Sequence, residues 1–168
     1  MPSLFSLTEI ANHHVDVEAS LRLYFSNANP TFPQRFFSYT LTEITDELSD
    51  RINETEMQSA LTILARVEAA LRRDYLRRCK DKLADDVSIA FRKIHKARGN
   101  HARLDDDILK TWYDNLGNSE RVVVSRLRGM LKFRHWMAHG RYWNHRPVHS
   151  FQDVYLVADL TISTLKLR

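Results

Sequence analysis

Apolar residues recur along most of the chain at intervals of three and four, which is the spacing of one face of an α-helix. The N-terminal segment shows this pattern, and Ser6 and Glu9 can form a capping box in front of it. A first helix is therefore predicted over about 7–27. Pro30 and Pro33 indicate a loop after it.

The same spacing predicts six further helices. The second helix covers 34–51, with Phe37, Leu41, Ile44 and Leu48 on one face. The third is a long helix that is capped by Asn53 and runs to Cys79 or beyond. The others cover 84–98, Asp105 to near Gly117, a segment capped by Ser119 that continues through Arg134, and 150–167. The four Gly and four Pro are too few for a turn-rich β fold. We therefore expect residues 1–168 to form one all-α domain, a bundle of five to seven helices.

Composition restricts the class of protein. A hydrophobic content of 43% and a charged content of 27% are typical of a soluble globular domain. Cys79 is the single cysteine, so no internal disulfide can form, which favours a reducing compartment. No apolar run approaches the roughly 20 residues of a membrane span, and no secretory signal is visible. A cytoplasmic protein with no membrane partner is expected.

Charge is distributed unevenly along the chain. Residues 1–65 hold nine acidic and three basic residues, a net charge of −6, whereas residues 66–168 hold 12 acidic and 22 basic residues, a net charge of +10. Residues 121–149 contain no Asp or Glu at all. A one-sided basic field suits a polyanion such as RNA. The alternative is a solvated helix surface.

The long third helix leaves two questions open. Its polar face carries a series of cations, which can be a nucleic-acid contact or a solvated surface: Arg72, Arg73, Arg77, Arg78, Lys80 and Lys82. Glu68 lies next to its apolar stripe. That residue is either a buried carboxylate paired with an arginine or an edge residue, and the sequence alone favours the edge position.

The stretch from Lys132 to Trp143 has the highest density of reactive side chains in the chain, with two histidines, three basic residues and two tryptophans. His135 and His139 are four residues apart, so on a helix they share one face. Arg134 is adjacent, and its long side chain can reach the same face. A fixed cation and two imidazoles are thus expected to converge.

This set matches the needs of metal-independent RNA cleavage. The reaction requires a base for the 2′-OH proton, an acid for the leaving 5′-oxygen, and a positive group for the charge on phosphorus. Histidine can serve in either proton role because it titrates near neutrality. Arginine stays charged and binds phosphate through two parallel hydrogen bonds.

Two other interpretations of the histidines are open. A His-x-x-x-His pair is also half of a zinc site, which would need a third ligand such as His145, His149, His13 or Asp153. The neighbouring arginines and the lack of a carboxylate in the stretch disfavour a dication. Alternatively, the histidines and Arg134 are structural residues at the end of a helix.

The string Arg134-His135-Trp136-Met137-Ala138-His139 resembles the R-x(4–6)-H motif of the HEPN superfamily of α-helical RNA-cleaving domains. In that family the residue after the arginine is usually Asn, Asp or His, and here it is His135. The likeness covers about residues 131–143, including the Gly-Arg-Tyr-Trp tail. The helical remainder, Glu68 to Tyr75 included, is compatible with it.

The resemblance implies a homodimer in which two copies of the motif face each other, and cleavage without metal or cofactor to a 2′,3′-cyclic phosphate and a 5′-OH. Carried over by position, Arg134 would stabilise the scissile phosphate, His139 would be the general acid and base, and His135 a supporting polar residue. Many prokaryotic members are toxins of toxin–antitoxin or related defence systems, often beside a nucleotidyltransferase antitoxin.

Residues around the motif are further candidates for substrate contact. Lys132, Arg141 and Arg146 can hold flanking phosphates, or can be surface residues only. Tyr142 and Trp143 follow the expected helix end at Gly140 and can stack on a base. The alternative is that they pack against the last helix, which is favoured for Trp143. Trp136 and Met137 are expected in the core or at a dimer contact.

Overall fold

A computed structural model describes residues 5–139 and 149–167, which form seven α-helices and, within these ranges, no β-strand. The helices are α1 (Leu7–Tyr24), α2 (Phe32–Arg35), α3 (Leu41–Lys80), α4 (Asp86–Arg98), α5 (Lys110–Asp114), α6 (Asn118–Ala138) and α7 (Phe151–Thr164). A 3₁₀ turn over Gly99–His101 and a π-helical segment over Leu104–Leu109 lie between α4 and α5. The predicted all-α bundle of five to seven helices is confirmed.

The helix α3 differs most from the sequence prediction. It begins after a capping box formed by Thr40 and Glu43 and continues without a break through Asn53. The predicted boundary at Asn53 is wrong because an asparagine inside a helix costs only about 0.7 kcal/mol, and no Gly or Pro interrupts residues 34–98. The predicted helix over 34–51 is replaced by the short α2 and the first turns of α3.

Two other helix boundaries also differ from the sequence prediction. Gly117, and not Ser119, occupies the N-cap position of α6, and the Ser119 hydroxyl instead hydrogen bonds to the Glu120 carboxylate at 3.0 Å. The segment predicted as one helix from Asp105 to Gly117 is divided into the π-helical segment and α5.

The core surrounds α3, which packs against α1, α4, α6 and α7. Its inner face and the facing helices contribute fully buried side chains: Ile63, Leu64, Val67 and Leu71 of α3, Phe91 of α4, Leu127 and Phe133 of α6, and Val154 of α7. Each such side chain stabilises the fold by about 1.5–3 kcal/mol through removal of apolar surface from water. In the described part of the chain, no helix is long and apolar enough to cross a membrane.

A second, smaller apolar cluster lies at the N-terminal end of α3. Phe25, Phe36 and Ile44 are its buried members, and Leu21, Phe32 and Leu48 pack around them. We call the segment of residues 15–56, which contains this cluster, the arm. Phe37 and Leu41 were predicted on the same apolar face as Ile44, but they are 92% and 81% exposed. That prediction is wrong because Phe37 precedes α3 and lies outside its helical register, and Leu41 is the first residue of α3, at its exposed end.

Candidate functional site

The last turns of α6 carry the described part of the motif. Phe133 and Met137 are buried, and Trp136 stacks on Phe133 with ring centroids 5.6 Å apart. The helix ends at Ala138, and the backbone N–H of the C-cap residue His139 donates to the carbonyl of His135 at 3.1 Å. The other predicted site residues lie outside the described residues: Arg141, Tyr142 and Arg146.

His135 and His139 lie side by side on the outer surface of α6. Their ring centroids are 4.2 Å apart with an angle of 52° between the planes, and both residues are exposed. Two imidazoles are therefore accessible to a substrate at the carboxyl end of the helix. This arrangement follows directly from the four-residue spacing, since successive helical turns superpose residues i and i+4.

Arg134 points in another direction. Successive helical residues are about 100° apart, so Arg134 is about 140° around the helix from His139. Its Nη2 atom lies 3.2 Å from Oε2 of Glu68 in α3. The side chain of Arg134 is 36% exposed and that of Glu68 is 17% exposed. The guanidinium therefore lies at the edge of the α3–α6 contact, not over the histidine pair.

The carboxylate of Glu68 holds a second arginine. Nε of Arg72 donates to Oε1 of Glu68 at 2.9 Å, and Nη1 of Arg72 donates to the carbonyl of Ala102 at 3.2 Å. Of the two interpretations of Glu68, the structure supports the paired carboxylate. The motif itself contains no carboxylate, but in the folded protein α3 places the carboxylate of Glu68 beside Arg134.

Sequence reasoning raised Glu68 as a possible partner of an arginine but did not connect it with the motif. The available signal was its position beside an apolar stripe with Arg72 four residues later, which is the spacing of a helical ion pair. Nothing in the sequence indicates that Arg134 would be its second partner. A carboxylate in this place restricts the orientation of Arg134 and offsets part of its charge.

Most arginines of the basic face of α3 are bound within the protein. Nη2 of Arg77 and Nε of Arg78 donate to the buried carboxylate of Asp74 at 2.7 and 2.6 Å. Arg78 also bonds Asp85, and its guanidinium lies 4.7 Å from the ring centroid of Trp112. The members of this face that are exposed and have no ion pair among the described residues are Arg73, Lys80 and Lys82.

The basic residues of α6 also include some that are ion-paired within the protein and some that are exposed without an ion pair among the described residues. Nε of Arg128 lies 2.6 Å from Oδ1 of Asp105. Although residues 121–149 contain no Asp or Glu, a carboxylate from another segment therefore pairs with one of their arginines. Arg126 and Lys132 are exposed and have no ion pair among the described residues. Lys132, a predicted phosphate contact, is therefore accessible.

Two of the residues suggested as further zinc ligands, Asp153 and His149, have other contacts, and His13 is exposed on α1. Asp153 forms a capping box with Ser150 at the start of α7. The ring of His149 packs edge-on against Phe133, with centroids 5.4 Å apart, and His145 is outside the described residues. Within 5–139 and 149–167, no three His, Cys, Asp or Glu side chains group as a metal site would require.

Comparisons with known proteins add no family assignment. None of the protein-family models, curated proteins or solved structures compared with the chain matches it. The resemblance of residues 131–143 to HEPN domains therefore depends on the motif alone. The candidate site consists of an exposed imidazole pair, an arginine held by a carboxylate, and an accessible lysine one turn earlier on the same helix.

Proposed function

We propose that the chain is a metal-independent endoribonuclease that leaves a 2′,3′-cyclic phosphate and a 5′-OH. The main support is the exposed pair of His135 and His139, with ring centroids 4.2 Å apart at the end of α6, on the helix that also carries Arg134, whose orientation Glu68 restricts. Such a set provides two imidazoles, which can accept and donate protons, and one permanent cation. Its resemblance to the HEPN motif supports the same reaction.

The chemistry follows from these groups. An imidazole of His139 accepts the 2′-OH proton while the 2′-oxygen attacks phosphorus, and the bond from phosphorus to the 5′-oxygen breaks. The leaving 5′-oxygen takes a proton from His139 of a second copy. Arg134 stabilises the charge on the phosphorane oxygens, and His135 supports the neighbouring imidazole. The RNA supplies its own nucleophile.

A homodimer fits this scheme because the histidine pair lies on the outer face of α6, where a second copy can meet it. Lys132 would hold a flanking phosphate, together with Arg141 and Arg146, and Tyr142 would stack on a base. In this proposal the protein is a cytoplasmic toxin of a toxin–antitoxin or related defence system. A nucleotidyltransferase-like antitoxin would be its protein partner.

A second candidate function is a non-catalytic module that binds RNA, a nucleotide or a protein. One observation favours it. The guanidinium of Arg134 lies 3.2 Å from Glu68 and about 140° around α6 from His139. A carboxylate this close competes with a phosphate for the same hydrogen-bond donors. Binding by the exposed cations, without cleavage, would need no convergence of Arg134 and His139.

Cleavage of end-labelled RNA in the presence of EDTA separates the two functions. The wild-type chain is expected to cleave, and Arg134→Ala and His139→Ala to be inactive with unchanged circular dichroism. His13→Ala removes an exposed histidine of α1 that has no role in the scheme, and it should cleave like the wild type. Cleavage that survives either of the first two changes would exclude the proposed mechanism.

The product ends provide a second measurement. A 2′,3′-cyclic phosphate blocks ligation of the 3′ end until an enzyme opens and removes it, whereas a 3′-OH ligates at once. RNA binding without cleavage, equally strong in His139→Ala, would instead support the binding module. Growth arrest on expression of the wild type, absent with His139→Ala, is the expected result for a toxin.

A further inference from the structure

The imidazole pair at the end of α6 also has the geometry of a metal chelate. His135 and His139 are one helical turn apart, both are exposed, and their ring centroids are separated by 4.2 Å. Two histidines with this spacing on one helix face can hold a single metal ion between a nitrogen of each ring. The same two side chains can therefore bind a metal ion as well as move protons.

An ion between the two rings requires only a small adjustment of the side chains. With metal–nitrogen bonds of about 2.0–2.1 Å and an angle of about 90–110° at the metal, the ring centroids would lie about 4.5–5 Å apart. The observed separation of 4.2 Å is slightly shorter. Because both side chains are exposed, rotation about their torsions can supply the difference without displacing core residues.

The structure weakens the electrostatic objection to a dication at this place. In the sequence Arg134 is adjacent to His135, and the motif contains no carboxylate. In the folded protein Arg134 lies about 140° around α6 from His139, and its Nη2 atom is 3.2 Å from the carboxylate of Glu68. Lys132 is an exposed cation on the side of the histidines, and its flexible side chain can extend into solvent. Repulsion of a metal ion is therefore smaller than the sequence indicates.

The two ligands restrict the kind of ion and the strength of its binding. Imidazole nitrogen suits Zn²⁺, Cu²⁺ and Ni²⁺, whereas Mg²⁺ and Ca²⁺ prefer oxygen ligands. Permanent zinc sites have three or four protein ligands, and no group of three His, Cys, Asp or Glu is present within 5–139 and 149–167. With two protein ligands and water in the other positions, the expected site is one that exchanges its ion with the solution.

We propose that His135 and His139 together chelate Zn²⁺ and that the bound ion inhibits RNA cleavage. A neutral imidazole has one nitrogen lone pair, and the metal occupies it. His139 then has no lone pair with which to accept the 2′-OH proton. Removal of the ion by EDTA restores the base. Chelation does not depend on the proposed ribonuclease function, whereas the inhibition rests on it.

Isothermal titration calorimetry of the full chain with ZnCl₂ near neutral pH tests the metal site. His135→Ala and His139→Ala should each weaken Zn²⁺ binding at least about tenfold, because a single ligand replaces the chelate. His13→Ala removes an exposed histidine of α1 and should leave the affinity unchanged. MgCl₂ should not bind to the histidine pair. Carbon–proton NMR spectra of the wild-type rings provide a measurement without substitution, in which Zn²⁺ should shift the signals of both histidines together.

RNA cleavage as a function of free Zn²⁺ concentration tests the inhibition. The wild-type rate should fall over the concentrations at which the ion binds in calorimetry, and excess EDTA should restore it. The remaining cleavage by His135→Asn should need at least about tenfold more Zn²⁺ for half inhibition, because the ion has lost one ligand. His13→Ala should be inhibited like the wild type.

The outcomes separate the metal site from the ribonuclease. No binding of Zn²⁺, or equal binding by the wild type and His139→Ala, would exclude the metal site. Undiminished cleavage at a Zn²⁺ concentration that saturates the site would exclude the inhibition. A chain that binds Zn²⁺ through both histidines but does not cleave RNA would support the metal site and exclude the ribonuclease together with its inhibition.

Discussion

The guanidinium of Arg134 lies 3.2 Å from the carboxylate of Glu68, so an ion pair links the helix that carries the histidines to the central helix of the bundle. Glu68 also accepts a hydrogen bond from Arg72 at 2.9 Å. Both arginines are more than a third exposed. Solvent therefore screens the ion pair. We expect it to orient the side chain of Arg134 and to add little to the stability of the fold.

The coupling between Glu68 and Arg134 can be measured directly. Glu68→Gln, Arg134→Gln and the double variant form a cycle, and the free energies of unfolding in urea should show a coupling of about 1 kcal/mol. Asp50→Asn changes an exposed carboxylate of α3 that has no ion pair among the described residues, and should alter stability by less than about 0.5 kcal/mol. Additive effects in the cycle would mean that the two side chains are not paired in solution.

The two histidines are expected to differ in function. If His139 moves the proton, His139→Ala should reduce the RNA cleavage rate at least about 100-fold, which is the usual contribution of a general acid or base. His135→Asn retains a polar side chain and should keep the rate within about tenfold of the wild type. Single-turnover rates with saturating protein are the appropriate measurement. The reverse order of the two effects would reverse the assigned roles.

Tyr75 should control stability at alkaline pH. Burial raises the pKa of Tyr75 from 10.0 to about 12, and its hydroxyl donates to the carbonyl of Gly99 at 2.9 Å. Because the unfolded chain loses this proton first, the contribution of Tyr75 to the free energy of unfolding is complete below pH 10 and is lost as the pH rises from 10 to about 12.

The measurement compares wild type with Tyr75→Phe across that range. The variant should be less stable at neutral pH by about 1 kcal/mol, the usual value of one hydrogen bond, and the difference should shrink towards alkaline pH. A tyrosinate absorbance titration of the folded wild type should show one group that titrates late. Ionisation of all six tyrosines near pH 10 would contradict the prediction.

Adjacent phenylalanines of the arm form a matched pair of variants. Phe36 is 4% exposed and its ring lies 5.1 Å from that of Phe25, whereas Phe37 is 92% exposed. Phe36→Ala should cost about 3–5 kcal/mol within the arm, and Phe37→Ala less than about 0.5 kcal/mol.

Hydrogen exchange locates the effect of Phe36→Ala. Because the apolar cluster of the arm is separate from the main core, amides of residues 20–50 should lose protection while those of residues 63–75 keep theirs. Equal loss in both segments would show that the arm and the bundle unfold together.

The sequence by itself determined the helical class, the ends of several helices and the neighbouring positions of His135 and His139. These features depend on local physics. The capping boxes at Ser6 and Ser150 involve residues three apart, and the histidines are one helical turn apart. Local interactions of this kind act before any helix has a tertiary neighbour.

The tertiary structure decided which charges are available. Glu68 reaches Arg134, Asp105 reaches Arg128, and Asp85 at the start of α4 reaches Arg78. The physical reason is that helical spacing specifies which side chains share a face, whereas the partner of that face depends on contacts between segments that are distant in the chain.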